Sequence, residues 1–420
     1  MSQTESSAMP RAAPARPEAA SPLARAAIVC LAVAMPVTMA IANKSAPVLL
    51  GAAALLALLS TALSGTLPHV WRRLGALLLR PPALALAAGA LLAGASVGWS
   101  VDRAISLRGI IEGAPVIACA LLAAACAGDI ARRRDTLLLA AGLALAVALI
   151  VFEKYSGQSI HRLAGARAEG IEEKRSAIFA AILAWPVVSV FAAKARYGAA
   201  AAVFAALALG AGAAHSGAAL FGLAAGAGVY CLALLGPRFT LGLTGLLLGA
   251  ALTSAPWHGS IAARLMPANL VAALSEVHAG QRIAIWSEFG GRVWDEPVYG
   301  HGFNTSQEIY RGRPARSDAE ANRLIEKIHP HNIYIQIWIE LGAAGVALTC
   351  LFGAALYRSL SRGPRENLPA RLALAAFIGA VGLVSHSLWQ PWWLAAMASA
   401  CIFMRIGDGA DQQHAEGAGT

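Results

Sequence analysis

One device recurs between residues 23 and 405: a block of about 20 apolar residues, a short polar connection, and another apolar block. About twenty residues of α-helix rise roughly 30 Å, the thickness of a bilayer's hydrocarbon core. A helix also satisfies its own backbone N–H and C=O groups, which lipid cannot do. Composition agrees, because 58% of the 420 residues are hydrophobic and only 13% are charged, too few to give a water-soluble surface. The expected fold is all-α and polytopic, with about twelve transmembrane helices and one large outer loop containing short helices.

The blocks fall roughly at 23–42, 45–64, 82–99, 105–127, 136–155, 176–193, 198–214, 217–235, 238–255, 332–357, 369–387 and 391–405. The predicted organisation is a Pro/Ala/Ser-rich disordered tail at 1–22, nine spans within 23–255, a large loop at 256–331, three spans within 332–405 and a tail at 406–420. A second apolar block follows the first at once, which favours a retained span over a cleaved signal. With the N-terminus inside, "HVWRRLGALLLRPP", "GDIARRRD", "AKARYG" and "YRSLSRGPRENLPAR" all fall on the cytoplasmic side, as the positive-inside rule asks.

A formal net charge of +10 could suggest nucleic acid, but most arginines sit in short connections between spans, so no nucleic-acid partner is expected. The six cysteines all lie inside apolar blocks without zinc-type spacing, and they read as small buried hydrophobes. No Walker loop, dinucleotide fingerprint or nucleophile elbow is present, which argues against ATP-driven work.

Two outer segments carry charge where the rule disfavours it: "SGQSIHRLAGARAEGIEEKR" at 156–175 and the long loop before residue 332. The first holds Arg162, Arg167, Lys174 and Arg175, which suit a phosphate-bearing ligand; attraction to lipid headgroups is the plainer reading. The second holds "QRIAIWSEFGGRVWDEPVYGHGFNTS" at 281–306, which predicts a helix on or beside the bilayer and then a Gly-rich turn. Arg282 and Arg292 are its anion-binding candidates, set against a simple solvated face.

The segment "HPHNIYIQIWIELGAAGVAL" at 329–348 opens a span with unusual polarity. Pro330 fits a first helical turn, which puts His331 beside the unpaired N–H groups and the positive dipole end. That field favours neutral imidazole, the form able to accept a proton. Asn332, Gln336 and Glu340 are spaced four apart and share a stripe. Interfacial anchoring would explain His329 equally well, and a lone His-x-His without a third ligand makes a weak metal site, so no metal and no cofactor are expected.

Three stretches resemble the O-antigen ligase family, which includes related O-antigen polymerases and O-linked oligosaccharyltransferases. "QRIAIWSEFGGRVWDEPVYGHGF" is similar to the family's R-x-x-x-W helix followed by P-h-x-G-x-G-F. "HPHNIYIQIWIELGAAG" is similar to its H-x-H-N-x-x-h-Q-h-h-x-E-h-G, and "HSGAALFGLAAG" is weakly like a third motif. The resemblance implies a metal-independent glycosyltransferase in a bacterial inner membrane, taking a glycan from an undecaprenyl-diphosphate carrier on the periplasmic face. For a ligase the acceptor is a lipid A–core sugar hydroxyl. It also implies His331 as general base and Arg282 on the diphosphate, helped by an arginine of 162–175, with Arg167 the best fit. Arg175, Arg162, His329, Asn332, Gln336 and Arg292 complete the expected substrate-binding set. A polysaccharide polymerase would use the same parts. A transporter would place polar groups near mid-span, whereas here they gather at one face.

Overall fold

The computed structural model describes residues 21–163, 171–274, 279–309, 329–363 and 365–408. Among these residues all regular structure is helical. The principal helices are α1 (Pro22–Ile41), α2 (Ala46–Leu63), α3 (Leu67–Leu78), α4 (Pro81–Ser96), α5 (Arg103–Ile130), α6 (Thr136–Tyr155), α7 (Glu173–Ala193) and α8 (Tyr197–Ala213). They continue with α9 (Gly217–Leu235), α10 (Pro237–Thr253), α11 (Ala255–Leu265), α12 (Ala279–Arg292), α13 (Ile333–Arg362), α14 (Leu368–Val384) and α15 (Pro391–Asp408).

Each of the twelve expected apolar blocks is helical, but a count of twelve membrane spans is not established. Among the described residues, seven helices are long and apolar enough to cross a membrane, or up to nine if each bent pair is one span. The bent pairs are α3 with α4, at 74°, and α10 with α11, at 66°. The chain is a multi-pass membrane protein.

Helix α3 corrects one expectation, since "LPHVWRRLGALL" was read as a connecting loop. Its apolar positions recur with helical spacing, so it forms an amphipathic helix with Trp71 outward and Val70 inward. Arg73 on α3 pairs with Asp129 at 2.8 Å, tying it to the end of α5.

Helix α7 is the central strut. Its span window is 83% buried, against 56% or less for the other six. Trp185 and Phe179 on α7, Phe377 on α14, and Trp393 and Phe403 on α15 are fully buried and form the bundle's heart. Small residues permit this packing. A Cβ at Gly222 would lie 2.7 Å from Val381, and one at Gly226 would overlap the Trp185 ring, so α9 can press against α14 and α7. Leu91, Leu209, Leu246 and Phe239 point outward, as lipid-facing side chains do.

Candidate active site

The polar side chains gather where α12, the start of α13, the α14–α15 connection and the first turn of α7 meet. Helix α13 organises the meeting. It begins at Ile333, not at Pro330, so His331 precedes the helix instead of lying in its first turn. His331 has φ 49°, a left-handed conformation that is uncommon for a non-glycine residue. The His329 Nδ1 atom holds it there by accepting the His331 backbone N–H at 3.0 Å, with the two ring centroids 4.1 Å apart and the rings tilted by 36°. The His-x-His spacing therefore builds a turn. No grouping of three or more candidate metal ligands occurs among the described residues.

The stripe of Asn332, Gln336 and Glu340 braces three connections. Asn332 caps α13, its Oδ1 accepting from Tyr334 N at 3.0 Å and Ile335 N at 3.2 Å. Its Nδ2 lies 3.0 Å from Nδ1 of His258 at the head of α11, whose ring meets Trp286 and Tyr334 edge-on. Gln336 donates to Ser387 Oγ at 2.8 Å and to Glu340 Oε1 at 2.9 Å, and accepts from Leu388 N, pinning the α14–α15 connection. Glu340 is fully buried and accepts from Asn304 N at 2.7 Å, Ser306 N at 3.3 Å and Trp389 Nε1 at 2.5 Å. Asn332 and Gln336, expected to bind substrate, are thus engaged by the protein itself.

Below the stripe the helix breaks at Gly342 (φ 59°, ψ −159°). The break turns the N–H groups of Ala343 and Ala344 onto the carbonyls of Pro297 and Val298, at 2.8 and 3.0 Å. His301 N and Gly302 N return bonds to the carbonyls of Ile339 and Glu340. The "PVYGHGF" turn and the "ELG" of α13 therefore lock together, with Gly300 and Gly302 at positive φ where any Cβ would collide with Glu340 or Ser100. This interlock explains why two distant motifs occur together, and it fixes the exit from α12.

The groups left facing one another are Arg282, His331, His386 and Arg175. Arg282 is half-buried on α12, and desolvation pushes its guanidinium below the usual arginine range. Burial, with Arg282 nearby, lowers His331 to about 4, and a ring N–H of His331 bonds the Ser385 carbonyl. Desolvation, the larger cause, and the Arg282 guanidinium both favour neutral His331. His386 is pushed down to about 3 by burial and by the charges of Arg175, His331 and Arg282. Burial, with His331, His386 and Arg175 nearby, holds His329 well below the ordinary histidine value.

The remaining expected residues separate. Arg175 sits in the first turn of α7, not in a loop, and joins the cluster. Arg162 lines a neighbouring open pocket of about 600 Å³ with Lys154, Gln158, Glu173, Lys174 and His215. Arg292 is ten residues along α12 from Arg282, about 15 Å at helical rise. It is buried between Glu288 at 3.6 Å and Asp295 at 3.4 Å. Arg167 lies outside the described residues. His258 and His386 were not expected. His386 stood in plain view in the short connection "SHSLWQ", a histidine at the end of a span.

A neutral imidazole near one guanidinium, with a second guanidinium in the same cluster, suits removal of a proton from a hydroxyl while an anionic leaving group departs. Fold and site thus define a multi-pass helical membrane protein with arginines and histidines gathered in a polar centre at one end of the bundle. Residues 200–350, from α8 into α13, match the O-antigen ligase family, as the motifs indicated. The chain is similar to a Rickettsia prowazekii protein whose name gives polysaccharide ligase as a provisional function. That match is 28% identical over 151 residues, 35% of this chain and 37% of the relative. Similarly named proteins of Rickettsia conorii (27% over 131 residues, 30% of this chain and 32% of the relative) and Rickettsia bellii (27% over 151 residues, 35% and 37%) also match. The matched stretch covers about a third of each relative's length.

Proposed function

We propose that this protein is a polysaccharide ligase that moves a glycan from undecaprenyl diphosphate to a sugar hydroxyl of lipid A–core on the periplasmic face of the inner membrane. One observation carries the reading: Arg282 stands near a neutral His331, and both act together with Arg175 on His386, at one end of the bundle. The acceptor hydroxyl attacks the anomeric carbon as its proton passes to His331. The sugar–oxygen bond to the diphosphate breaks, and the carrier leaves with the electron pair and the added negative charge. Arg282 and Arg175 stabilise that charge, the part a metal ion plays in other glycosyl transfers. A single displacement inverts the anomeric centre. The arginine distribution of the connections supports a periplasmic side for this end of the bundle. The names of the relatives favour a ligase over a polymerase, which would use the same groups on a carrier-bound acceptor.

The test is His331→Ala expressed in cells lacking the wild-type protein. Core-linked polysaccharide should fall about 10²–10⁴-fold, the usual share of a general base. Carrier-linked glycan of normal chain length should accumulate. Ligation at the wild-type level would remove His331 from the chemistry, and shortened carrier-linked chains would replace the ligase with a polymerase.

A further inference from the structure

The α14–α15 connection supplies a group that the proposed mechanism does not use. His386 lies between Ser385, whose carbonyl holds His331, and Ser387, which Gln336 grips at 2.8 Å. Its ring meets Trp392 edge-on at 4.9 Å, so its orientation is set by packing. Its Nε2 is buried and makes no hydrogen bond among the described residues. Buried polar atoms left this way are uncommon and call for an explanation. The charges around this ring come from three elements: Arg175 on α7, Arg282 on α12, and His331 before α13. Two of these are fixed cations, so a cationic ligand is excluded. An anion that the guanidiniums attract would come within reach of the imidazole and would offer oxygens, which are acceptors.

We propose that His386 is a third ligand to the diphosphate, its Nε2–H donating to a phosphoryl oxygen beside Arg175 and Arg282. This rests on the ligase reading and deepens it. The diphosphate is gripped from three elements, and His331, held by Ser385, remains for the acceptor. A neutral donor suits this place. It strengthens as charge builds on the departing oxygen, while adding no third positive charge to a half-buried site already holding two.

The test uses the full chain in detergent and farnesyl diphosphate, farnesyl monophosphate and farnesol as probes, with binding read from the shift in thermal unfolding. His386→Ala should weaken farnesyl diphosphate binding about tenfold or more, the usual effect of losing a hydrogen bond to a charged group. His386→Phe, which keeps the ring against Trp392, should weaken it equally. His386→Gln, which restores an N–H near the Nε2 position, should recover most of the loss, and farnesol binding should not change in any variant. Wild-type affinity in both His386→Ala and His386→Phe would overturn the proposal. So would a loss shared equally by farnesol, which would mark a purely structural role. Arg282→Ala separates the two readings. If it weakens diphosphate binding while the His386 variants do not, only the His386 assignment falls. If it too is silent, the diphosphate site itself is wrong.

Discussion

Gly342→Ala is the most direct probe of how the site is held together. At φ 59° and ψ −159° the backbone occupies a region that is essentially glycine's alone, costing other residues about 1–3 kcal/mol. An alanine Cβ would also lie 2.5 Å from the carbonyl carbon and oxygen of Val298 and 2.7 Å from Tyr299 N. The 297–302 turn must therefore retreat, breaking the bonds from Ala343 and Ala344, each worth about 0.5–1.5 kcal/mol net. Together these give a penalty of about 4 kcal/mol, or roughly 10³-fold in the docking equilibrium. Hydrogen exchange on the detergent-solubilised protein reads this directly. The amides of His301, Gly302, Ala343 and Ala344 should lose about three orders of magnitude of protection, with glycan transfer falling in step. Gly353→Ala, on the same helix with open space around its Cβ, is the control and should change neither. Protection in Gly342→Ala within a few-fold of wild type would refute the idea that this interlock positions α12 against α13.

Other consequences can be checked separately. His331 titrates at about 4, so between roughly pH 4 and 6.5 the unfolded chain holds a proton that the folded chain excludes. Stability therefore rises with pH through that window and is lost as pH falls, and detergent melting curves should show it. The acid limb of kcat/KM should lie near the same low value and move upward in Arg282→Ala, which removes a neighbouring cation; an unmoved limb would deny the coupling. Gly226→Ala forces a methyl into the Trp185 ring and should cost about 1–3 kcal/mol in unfolding measurements, whereas Gly228→Ala, facing open space, should be near neutral. Arg292→Ala removes the guanidinium from between Glu288 and Asp295, so it should lower the melting temperature while leaving farnesyl diphosphate affinity within twofold of wild type; a tenfold loss would return Arg292 to the binding set.

Much of this was legible in the chain. Spans follow from the length and apolarity of contiguous blocks, a local property, so all twelve segments reappear as helices. The chain also marks candidate chemical groups. Arg282, His331 and Arg175 are costly at the edge of lipid, and their presence there is informative in itself. Other assignments failed for identifiable reasons. Arginines and a proline mark Leu67–Leu78 as a connection between spans, yet its apolar residues recur at helical spacing and pack it as an amphipathic helix. Pro330 predicts a helix start three residues early, because Asn332 is the stronger cap and His329 takes up the His331 N–H. The spacing of Asn332, Gln336 and Glu340 predicts a shared stripe, and nothing in that spacing reveals that Asn332 reaches His258, Gln336 reaches Ser387 and Glu340 reaches the backbone of Asn304.

Taken alone, the amino-acid order determined that this chain would be a membrane-embedded helical bundle, with its arginines and histidines concentrated in particular connections. Hydrophobic block length and charge placement act locally and need no partner to be read. Which cations meet was decided only by the tertiary structure. Arg175 joins Arg282 while Arg162 and Arg292 turn elsewhere, and His386 arrives from a connection far along the chain. The reason is geometric: convergence depends on how α7, α12, α13 and the α14–α15 connection pack, and that packing rests on glycine contacts, a helix break and buried hydrogen bonds between residues far apart in sequence.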